Sequence, residues 1–358
     1  MPEGHTIHRL AKSLNILFGE SQLRASSPQG RFAQGAARLD GQVFISSYAH
    51  GKHLLAAFAP AADVALDSPA ITWLHTHLGL YGAWNFDGDA TFVVPEIFEV
   101  PDLEVGSRQG LPGIKELGGH SGGSALAGLT VSTRAALTQP EGVAATVGSG
   151  KPRPDLKLPE GKLAPGQWQP APPKGAVRLR LVSKHGVADL SGPTTCELLD
   201  LEGVKAVEAR LGPDPLAPGK TAEGKATFIA NVRRRRRAIG ELLMDQSVIA
   251  GVGNIYRAES LFRAGISPRR QGANISAQRL GKLWDDNAAL LAHGVATGLI
   301  TTVNSDDVPD PLPPDDPEAG RWYVYHRTGR PCLRCGTPIA GDMMQGRTLF
   351  WCPRCQGR

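Results

Sequence analysis

Apolar and polar residues follow two different periods along the first 192 residues. Over residues 3–18 the apolar side chains recur at spacings of three and four, which predicts an amphipathic helix that ends at Gly19. From residue 43 onward they come in short segments rich in β-branched and aromatic side chains, separated by Gly, Pro and Asp. This pattern predicts antiparallel strands of a sandwich or barrel. The predicted strands cover residues 43–48, 53–58, 71–78, 81–86 and 91–94, and alternation resumes at 177–181 and 187–190.

Helical periodicity takes over beyond residue 192, which predicts a separate α-helical domain over residues 193–305. An acidic, Pro-rich linker at 306–321 then leads to a small C-terminal unit at 322–358. We therefore expect an α+β multidomain fold, with an N-terminal antiparallel β-sandwich and its leading helix at residues 1–192. The helices predicted in the second domain cover 194–201, 204–211, 239–245, 254–264 and 276–293.

Residues 101–175 interrupt the strand pattern of the first domain. Of these 75 residues, 24 are Gly or Pro, and Trp168 is their single aromatic residue. Such a composition buries too little apolar surface to offset the entropy of ordering the chain. We therefore expect a flexible insertion between strands.

Positive charge is modest overall but clustered. The net charge is +5, and five arginines follow one another without a break from Arg233 to Arg237. The run suits a polyanionic partner such as DNA, although a solvated helix face carries similar sequences. The sequence contains no stretch long and apolar enough to span a bilayer, and its N-terminus does not read as a signal peptide. We expect a cytoplasmic, nucleoid-associated monomer with no membrane contact.

Four of the five cysteines lie at the C-terminus with the spacing C-x2-C-x16-C-x2-C. Each C-x2-C turn offers two thiolates from one tight knuckle, and four thiolates complete a tetrahedral zinc site. We therefore predict one structural Zn²⁺ without an open coordination position. Its ligands are Cys332, Cys335, Cys352 and Cys355, whereas Cys196 is isolated and more typical of a buried apolar residue.

Two further segments carry candidate chemistry. Removal of Met1 would turn Pro2 into a secondary amine, a possible nucleophile, although Pro at a first helical turn is equally ordinary. Two glycines and then Asn254 join two helical patterns, and backbone N–H groups at such a helix start bind phosphate. Arg347 lies between the two cysteine pairs on a predicted β-ribbon, where spacing alone does not separate a phosphate contact from a solvated arginine.

Taken together, these segments resemble the formamidopyrimidine-DNA glycosylase and endonuclease VIII family, more closely its endonuclease VIII branch. The matching elements are Pro2-Glu3, Gly51-Lys52, the segment 250–257 with sequence AGVGNIYR, and the zinc finger with Arg347 on its ribbon. They occur in the family's order and leave out the 101–175 insertion. The resemblance implies a helix-two-turn-helix DNA-binding domain at 193–305 and damaged DNA as the partner.

The resemblance also implies roles for individual residues. Pro2 is expected to attack C1′ of the damaged nucleotide and form a Schiff base, with Glu3 as general acid and base. Lys52 and Arg347 are expected to contact phosphates and assist proton transfer and elimination. The remaining candidates are DNA contacts. They are the phosphate-binding His77, Arg210 and Asn254 and the base-stack wedge Leu80 and Tyr81, for which a core position is the alternative.

This sequence departs from the family pattern at three places. His5 and Thr6 stand where a second acid is expected, which puts the proton relay in doubt. Gly79 replaces a polar wedge residue, and Ser191 replaces an arginine of the purine-lesion branch, which disfavours oxidised purines. His50, His53 and His75 lack the carboxylate pattern that would favour a metal site.

We therefore predict a bifunctional DNA glycosylase and AP lyase of base excision repair that removes oxidised pyrimidines and cuts the strand by β,δ-elimination. One alternative keeps the fold but takes oxidised purines such as formamidopyrimidine. The other is a non-catalytic damaged-DNA-binding protein that keeps the clamp and the zinc finger.

Overall fold

The computed structural model describes residues 2–95, 98, 167–219 and 221–357. Its first helix, α1, covers Gly4–Phe18 and confirms the predicted leading helix. The buried residues Ile7, Leu10, Leu14 and Phe18 form one stripe along α1. This stripe packs into the core between two sheets.

Two four-stranded antiparallel sheets form the N-terminal part, as predicted. The strands are β1 (Arg24–Ser26), β2 (Val43–His50), β3 (His53–Ala59), β4 (Thr72–His77), β5 (Ala83–Gly88), β6 (Val177–Val182), β7 (Gly186–Ser191) and β8 (Thr195–Leu199), with helix α2 (Ala33–Leu39) between β1 and β2. One sheet has the order β1-β6-β7-β5 and the other β2-β3-β4-β8. Their inner faces share one apolar core with α1, so the architecture is a sandwich.

Three details of the sequence prediction are wrong. Residues 194–200 form no helix, because Thr195–Leu199 pairs with β4 as strand β8 and the next helix begins only at Leu201. Residues 91–94 form no strand, since Phe92 turns into the core under Gly88 and Gly186 instead of pairing. The strand predicted at 81–86 lies two residues later, at Ala83–Gly88, because the chain turns at Gly82.

The second half is helical, as predicted. Helix α3 (Leu201–Ala209) covers the outer face of the β2-β3-β4-β8 sheet with Val204. An apolar core centred on Phe228 and Trp284 joins the remaining helices. They are α4 (Thr221–Arg233), which the sequence pattern did not predict, α5 (Ile239–Leu242), α6 (Asn254–Arg263) and α7 (Ala277–Thr297). Among the described residues, no helix is long and apolar enough to cross a membrane.

A two-stranded antiparallel ribbon closes the chain, with β9 at Ala340–Met344 and β10 at Arg347–Trp351. Its Phe350 packs with Ala258 and Phe262 of α6 in a third core, which also contains Cys332 and Cys352. The ribbon is therefore held against the helix that begins at Asn254. Residues 101–166 of the predicted insertion lie outside the described residues. The division into domains stays a prediction, although β8 lies beyond residue 192 and belongs to the sandwich.

Candidate active site

Glu3 is fully buried between α1 and α6. Its Oε2 accepts a 2.8 Å hydrogen bond from the backbone nitrogen of Gly253, and its Oε1 accepts one of 2.8 Å from Ile255. Gly4 donates its own N–H to the carbonyl oxygen of Gly251 at 2.8 Å. The N-terminus of the chain is thus fastened to the start of α6, where Glu3 accepts N–H groups that have no partner within the helix.

Pro2, Lys52 and Arg347 line one cavity of about 300 Å³. They come from the N-terminus, the β2–β3 turn and the start of β10, which the sequence places far apart. His77 at the end of β4 and Leu80 beyond it line the same cavity. The fold therefore brings together residues that the sequence proposed separately: the candidate nucleophile Pro2, the cations Lys52 and Arg347, and the candidate DNA contacts His77 and Leu80.

Burial changes the acid–base properties of two side chains at the cavity. Desolvation raises the pKa of Glu3 above its usual range, although Lys52 and the backbone N–H groups oppose the shift. Desolvation also lowers the pKa of Lys52, while the charge of Glu3 opposes that shift. A carboxyl group and an amine shifted toward each other are typical of proton-transfer sites.

The β2–β3 turn that carries Lys52 has little conformational freedom. Gly51 has a left-handed φ of 58°, and a Cβ there would lie 2.8 Å from the Cβ of Ala250 and the nitrogen of Gly251. Only glycine allows this approach of the β2–β3 turn to the turn before α6. Lys52 consequently points into the cavity from a fixed backbone.

Asn254 ties α6 to the ribbon. Its Nδ2 donates to the carbonyl oxygen of Thr348 at 3.1 Å, and Nη2 of Arg257 donates to the same oxygen at 2.9 Å. Nη2 of Arg257 also donates to Oδ1 of Asn254. Because Thr348 follows Arg347, these bonds position the arginine at the cavity. A phosphate role of Asn254 stays a prediction.

The remaining DNA candidates occupy different positions. Leu80 and Tyr81 are 45% and 76% exposed, so their side chains do not belong to the core. His77 is half-buried, and its Nδ1 accepts from the backbone nitrogen of Gly79 at 3.2 Å. Arg210 is exposed at the end of α3 and does not line the cavity that the described residues form.

His5, one of the two residues that replace the expected second acid, lies in the core. It is buried edge-on against Tyr256 at 5.5 Å between ring centroids, and desolvation lowers its pKa to about 3. The imidazole therefore stays neutral at working pH. Its Nε2 lies 3.2 Å from Oγ1 of the half-buried Thr6, so a polar but uncharged pair occupies this place.

Arg257 lines the cavity, although the sequence did not single it out as a site residue. This arginine is fully buried, lines the cavity and has no hydrogen-bond partner in the described structure for its Nε and Nη1. Burial and the neighbouring Arg347 lower its pKa to about 10. Its position within AGVGNIYR was the available signal, but a helical arginine is usually solvated and the sequence does not show its burial.

The four C-terminal thiols converge, as predicted. Their Sγ atoms lie within 4.8 Å of one another, which suits four ligands around one zinc ion. In contrast, the histidines of β3 and β4 bond one another and Glu197. His53 Nδ1 lies 2.9 Å from His75 Nε2, and His75 Nδ1 lies 2.9 Å from Oε1 of Glu197. The only metal-ligand cluster within the described residues is the four-cysteine group.

Two family models match this chain. The formamidopyrimidine-DNA glycosylase H2TH domain matches residues 211–306, and the zinc finger found in FPG and IleRS matches residues 329–357. Together with the cavity, they define a DNA-repair enzyme that joins a helix-two-turn-helix domain to a zinc finger. The four cysteines bind one structural zinc.

Curated relatives extend the comparison to the whole chain. The "Endonuclease 8 1" of Mycobacterium tuberculosis is 34% identical over 356 residues, which cover 99% of this chain and 100% of that protein. The formamidopyrimidine-DNA glycosylase of Geobacillus kaustophilus is 40% identical over 155 residues, covering 41% of this chain and 52% of that protein. The chain therefore belongs to the formamidopyrimidine-DNA glycosylase and endonuclease VIII family. It is a DNA glycosylase and AP lyase of base excision repair.

Solved structures confirm the fold. The MutM (Fpg) protein from Thermus thermophilus superposes with a TM-score of 0.59 at 21% identity, covering 100% of this chain and 99% of that one. A Lactococcus lactis Fpg in complex with abasic-site DNA gives a TM-score of 0.60 at 16% identity, covering 99% and 100%.

Proposed function

We propose that this enzyme excises oxidised pyrimidines through a Schiff base on Pro2 and then cuts the strand by β,δ-elimination. The observation that carries the proposal is the shared cavity, which Pro2, Lys52 and Arg347 line, while the next residue, Glu3, is fully buried and interacts electrostatically with Lys52. A secondary amine beside a shifted acid and two cations provides a nucleophile, a proton donor and binding for a polyanion.

The first chemical step forms one bond and breaks another. After Met1 is removed, the Pro2 nitrogen attacks C1′, and the bond from C1′ to the damaged base breaks with its electron pair moving to the base. An α-amino group has an ordinary pKa near 7.7, so a useful fraction of the amine is neutral at working pH. Opening of the sugar with proton transfer leaves an iminium ion, which accepts electrons in the eliminations that follow.

Glu3 and Lys52 supply the protons in this scheme. Because its pKa is raised, Glu3 holds a proton at a higher pH than an exposed glutamate and donates it to the opening sugar. Its conjugate base then accepts protons during elimination. Lys52 contacts a phosphate and assists proton donation at C1′ or the leaving base, and Arg347 binds the flanking phosphates and assists the second elimination.

DNA enters the proposal at the rim of the cavity. Asn254, His77 and Arg210 bind the backbone of the damaged strand, and Leu80 with Tyr81 fills the gap left by the extruded nucleotide. Extrusion of a base costs a few kcal/mol, and exposed apolar side chains beside a cavity are suited to offset it. We further propose that the enzyme acts as a cytoplasmic, nucleoid-associated monomer, with domains at 1–192, 193–305 and 322–358.

Two alternatives differ in what they predict. An oxidised-purine activity is supported by the formamidopyrimidine-DNA glycosylases among the relatives, whereas Ser191 speaks against it. Competition between duplexes that carry an oxidised pyrimidine or a formamidopyrimidine distinguishes the two substrates. A non-catalytic DNA-binding protein would have no use for the residues that line the cavity. Measured turnover of a damaged-DNA substrate would therefore exclude that alternative.

The test is borohydride trapping on an abasic-site duplex, followed by mass spectrometry of the adduct. We expect a covalent adduct on the Pro2 nitrogen of a chain that has lost Met1, absent in Pro2→Gly and strongly reduced on damaged-base DNA in Glu3→Gln. A protein that lacks Met1 and forms no adduct with any lesion would refute the proposal in favour of the non-catalytic alternative.

A further inference from the structure

Asp214 is a buried carboxylate outside the cavity that bonds three segments of the chain. Its Oδ2 accepts from the backbone nitrogen of Gly51 at 2.7 Å and lies 2.8 Å from Nε2 of His8 on α1. Its Oδ1 accepts from the backbone nitrogen of Leu216 at 2.8 Å. The side chain is 2% exposed, so these bonds replace most of its hydration.

The segment that carries Asp214 is itself fixed to the turn before α6. Gly212 donates its N–H to the carbonyl oxygen of Gln246 at 2.7 Å, and Ala250 donates to the carbonyl oxygen of Pro213 at 3.0 Å. A Cβ on Gly212 would lie 2.6 Å from the backbone carbon of Val248. Residues 212–216, which we call the clasp, therefore form one body with the helix-two-turn-helix core.

The clasp reaches the two elements that carry the candidate catalytic groups. Through Gly51 it holds the backbone beside Lys52, and through His8 it holds α1, whose preceding residues are Pro2 and Glu3. Gly51 already lies against Gly251. This contact limits how closely the β2–β3 turn approaches the turn before α6, but it does not orient the peptide group of Gly51. The bond to Asp214 supplies that orientation, since it fixes the direction of the Gly51 N–H.

We propose that Asp214 is a positioning residue, which aligns the β2–β3 turn with α1 so that Lys52 and Pro2 face the same point of the cavity. The inference rests on the proposed function, because it assigns Asp214 an effect on a reaction that Pro2 and Lys52 carry out. Asp214 touches neither the cavity nor DNA in this scheme.

The charge state of Asp214 agrees with this role. Burial alone would raise its pKa, but the charge and hydrogen bond of His8 and the N–H groups of Gly51 and Leu216 outweigh burial and hold the pKa below its usual range. The acceptor thus stays ionised wherever the enzyme works. Lys52 in turn lines the cavity with Arg347 and His77 and interacts with the charge of Glu3, and burial is the main cause of its lowered pKa.

The experiment compares Asp214→Asn with a matched control, Asp89→Asn. Asp89 is also buried and lies 2.8 Å from a histidine, His185, but in the sandwich away from the cavity. An asparagine at 214 keeps the size but replaces one acceptor oxygen by a donor, which then opposes the N–H of Gly51 or, in the other orientation of the amide, that of Leu216. Both variants are expected to lower the melting temperature to a similar extent.

Single-turnover trapping on abasic-site DNA then separates positioning from stability. We expect Asp214→Asn to slow trapping about 10- to 100-fold with little change in KM, and Asp89→Asn to trap at the wild-type rate. In Asp214→Asn, the apparent pKa on the basic side of the profile of trapping rate against pH should also rise toward the ordinary lysine value of 10.5. The reason is that a misplaced Lys52 regains hydration, which reverses the effect of burial on its pKa.

The possible outcomes of this comparison distinguish a positioning role of Asp214 from a purely structural one. Equal trapping rates and pH profiles in both variants, with only the melting temperature lowered, would show that Asp214 is merely structural. A wild-type protein without an adduct would instead refute the proposed function, so the two failures are distinguishable. Far-ultraviolet circular dichroism verifies that Asp214→Asn is folded, and Asp214→Glu, which keeps both acceptor oxygens, is expected to recover part of the trapping rate.

Discussion

Oε1 of Glu3 lies 2.8 Å from the backbone nitrogen of Ile255, so a residue at the N-terminus of the chain caps helix α6 two hundred and fifty-two positions away. The same carboxylate accepts the N–H of Gly253. A helix N-terminus attracts negative charge, yet complete burial raises the pKa of this carboxyl group. The site therefore holds its acid close to the helix that the DNA-binding half supplies, at a cost in desolvation.

The first prediction concerns the space beside Glu3. A Cβ on Gly253 would lie 2.3 Å from Cδ of Glu3, so Gly253→Ala must displace the carboxylate. We expect base release to fall by about 10²-fold or more, the range that general acid–base catalysis contributes. Single-turnover base release measures the effect. Gly281→Ala on α7, where the nearest atom is the flexible end of Lys225, is the control and should keep wild-type rates.

The second prediction concerns the pH dependence of stability in Glu3→Gln, whose amide replaces one of the oxygens that accept the N–H groups of Gly253 and Ile255. Folding raises the pKa of Glu3, so the native state binds more protons than the unfolded chain, and wild-type stability falls as pH rises above the ordinary value of 4.5. Glutamine carries no charge and escapes this loss. The Tm of Glu3→Gln minus the Tm of the wild type should therefore increase from pH 4.5 toward neutrality, by about 2–4 °C per kcal/mol. A Tm difference that decreases with rising pH would contradict the raised pKa.

The sequence predicted those elements whose pattern is local. Helix α1 shows its apolar stripe within one segment, and the zinc ligands show their spacing within 24 residues, Cys332 to Cys355. Strand β8 was mistaken for a helix because its apolar and polar residues do not alternate, and in the fold four of its five residues are half-buried while Glu197 is exposed. Pairing with β4 decides its structure, and that partner lies more than a hundred residues earlier.

The sequence predicted which residues form the site but not how the fold brings them together or buries them. Pro2, Lys52 and Arg347 stand in recognisable segments, whereas their convergence on one cavity depends on the whole fold. The sequence did not single out Asp214 and Arg257, because a single acid or base in a sequence gives no sign of burial. Because both side chains are buried, each needs defined hydrogen-bond partners, and those partners are supplied by the fold.

The third prediction concerns the zinc finger. Loss of one thiolate by Cys352→Ser should abolish the bound zinc, loosen the ribbon and release Arg347, because Thr348 next to it is the acceptor for Asn254 and Arg257. We expect DNA affinity to fall at least about tenfold while most helical circular dichroism remains. Metal analysis should find one zinc per wild-type chain. Cys196→Ser, outside the cluster, is the control and should retain both zinc and affinity.

The fourth prediction tests the wedge. Leu80→Ala should slow excision of a paired damaged base about tenfold, because the variant loses apolar surface that offsets unstacking. Cleavage at an abasic site should change less, since no base must leave the stack there. Leu66 is 45% exposed, as Leu80 is, but lies outside the cavity, so Leu66→Ala is a matched control. Equal effects of Leu80→Ala on both substrates would refute the wedge.

The fifth prediction concerns the arginine run beside the cavity. Arg237 bonds Asp245 at 3.0 Å and Glu241 at 3.2 Å, and Met244 between these acids lines the cavity. The exposed Arg234 and Arg236 thus lie next to the region where DNA would pass. Removing one arginine that binds a phosphate should reduce the slope of log affinity against log salt by about 0.9.

We therefore expect the double variant Arg234→Gln, Arg236→Gln to lower the slope by roughly 1 to 2, with little change in preference between lesions, because phosphate contacts do not read bases. The control removes the equally exposed Arg31 and Arg38 near helix α2, which should leave the slope unchanged. A slope that both double variants leave unchanged would identify the run as a solvated surface. A slope that both lower equally would mean that net charge alone acts, since position then makes no difference.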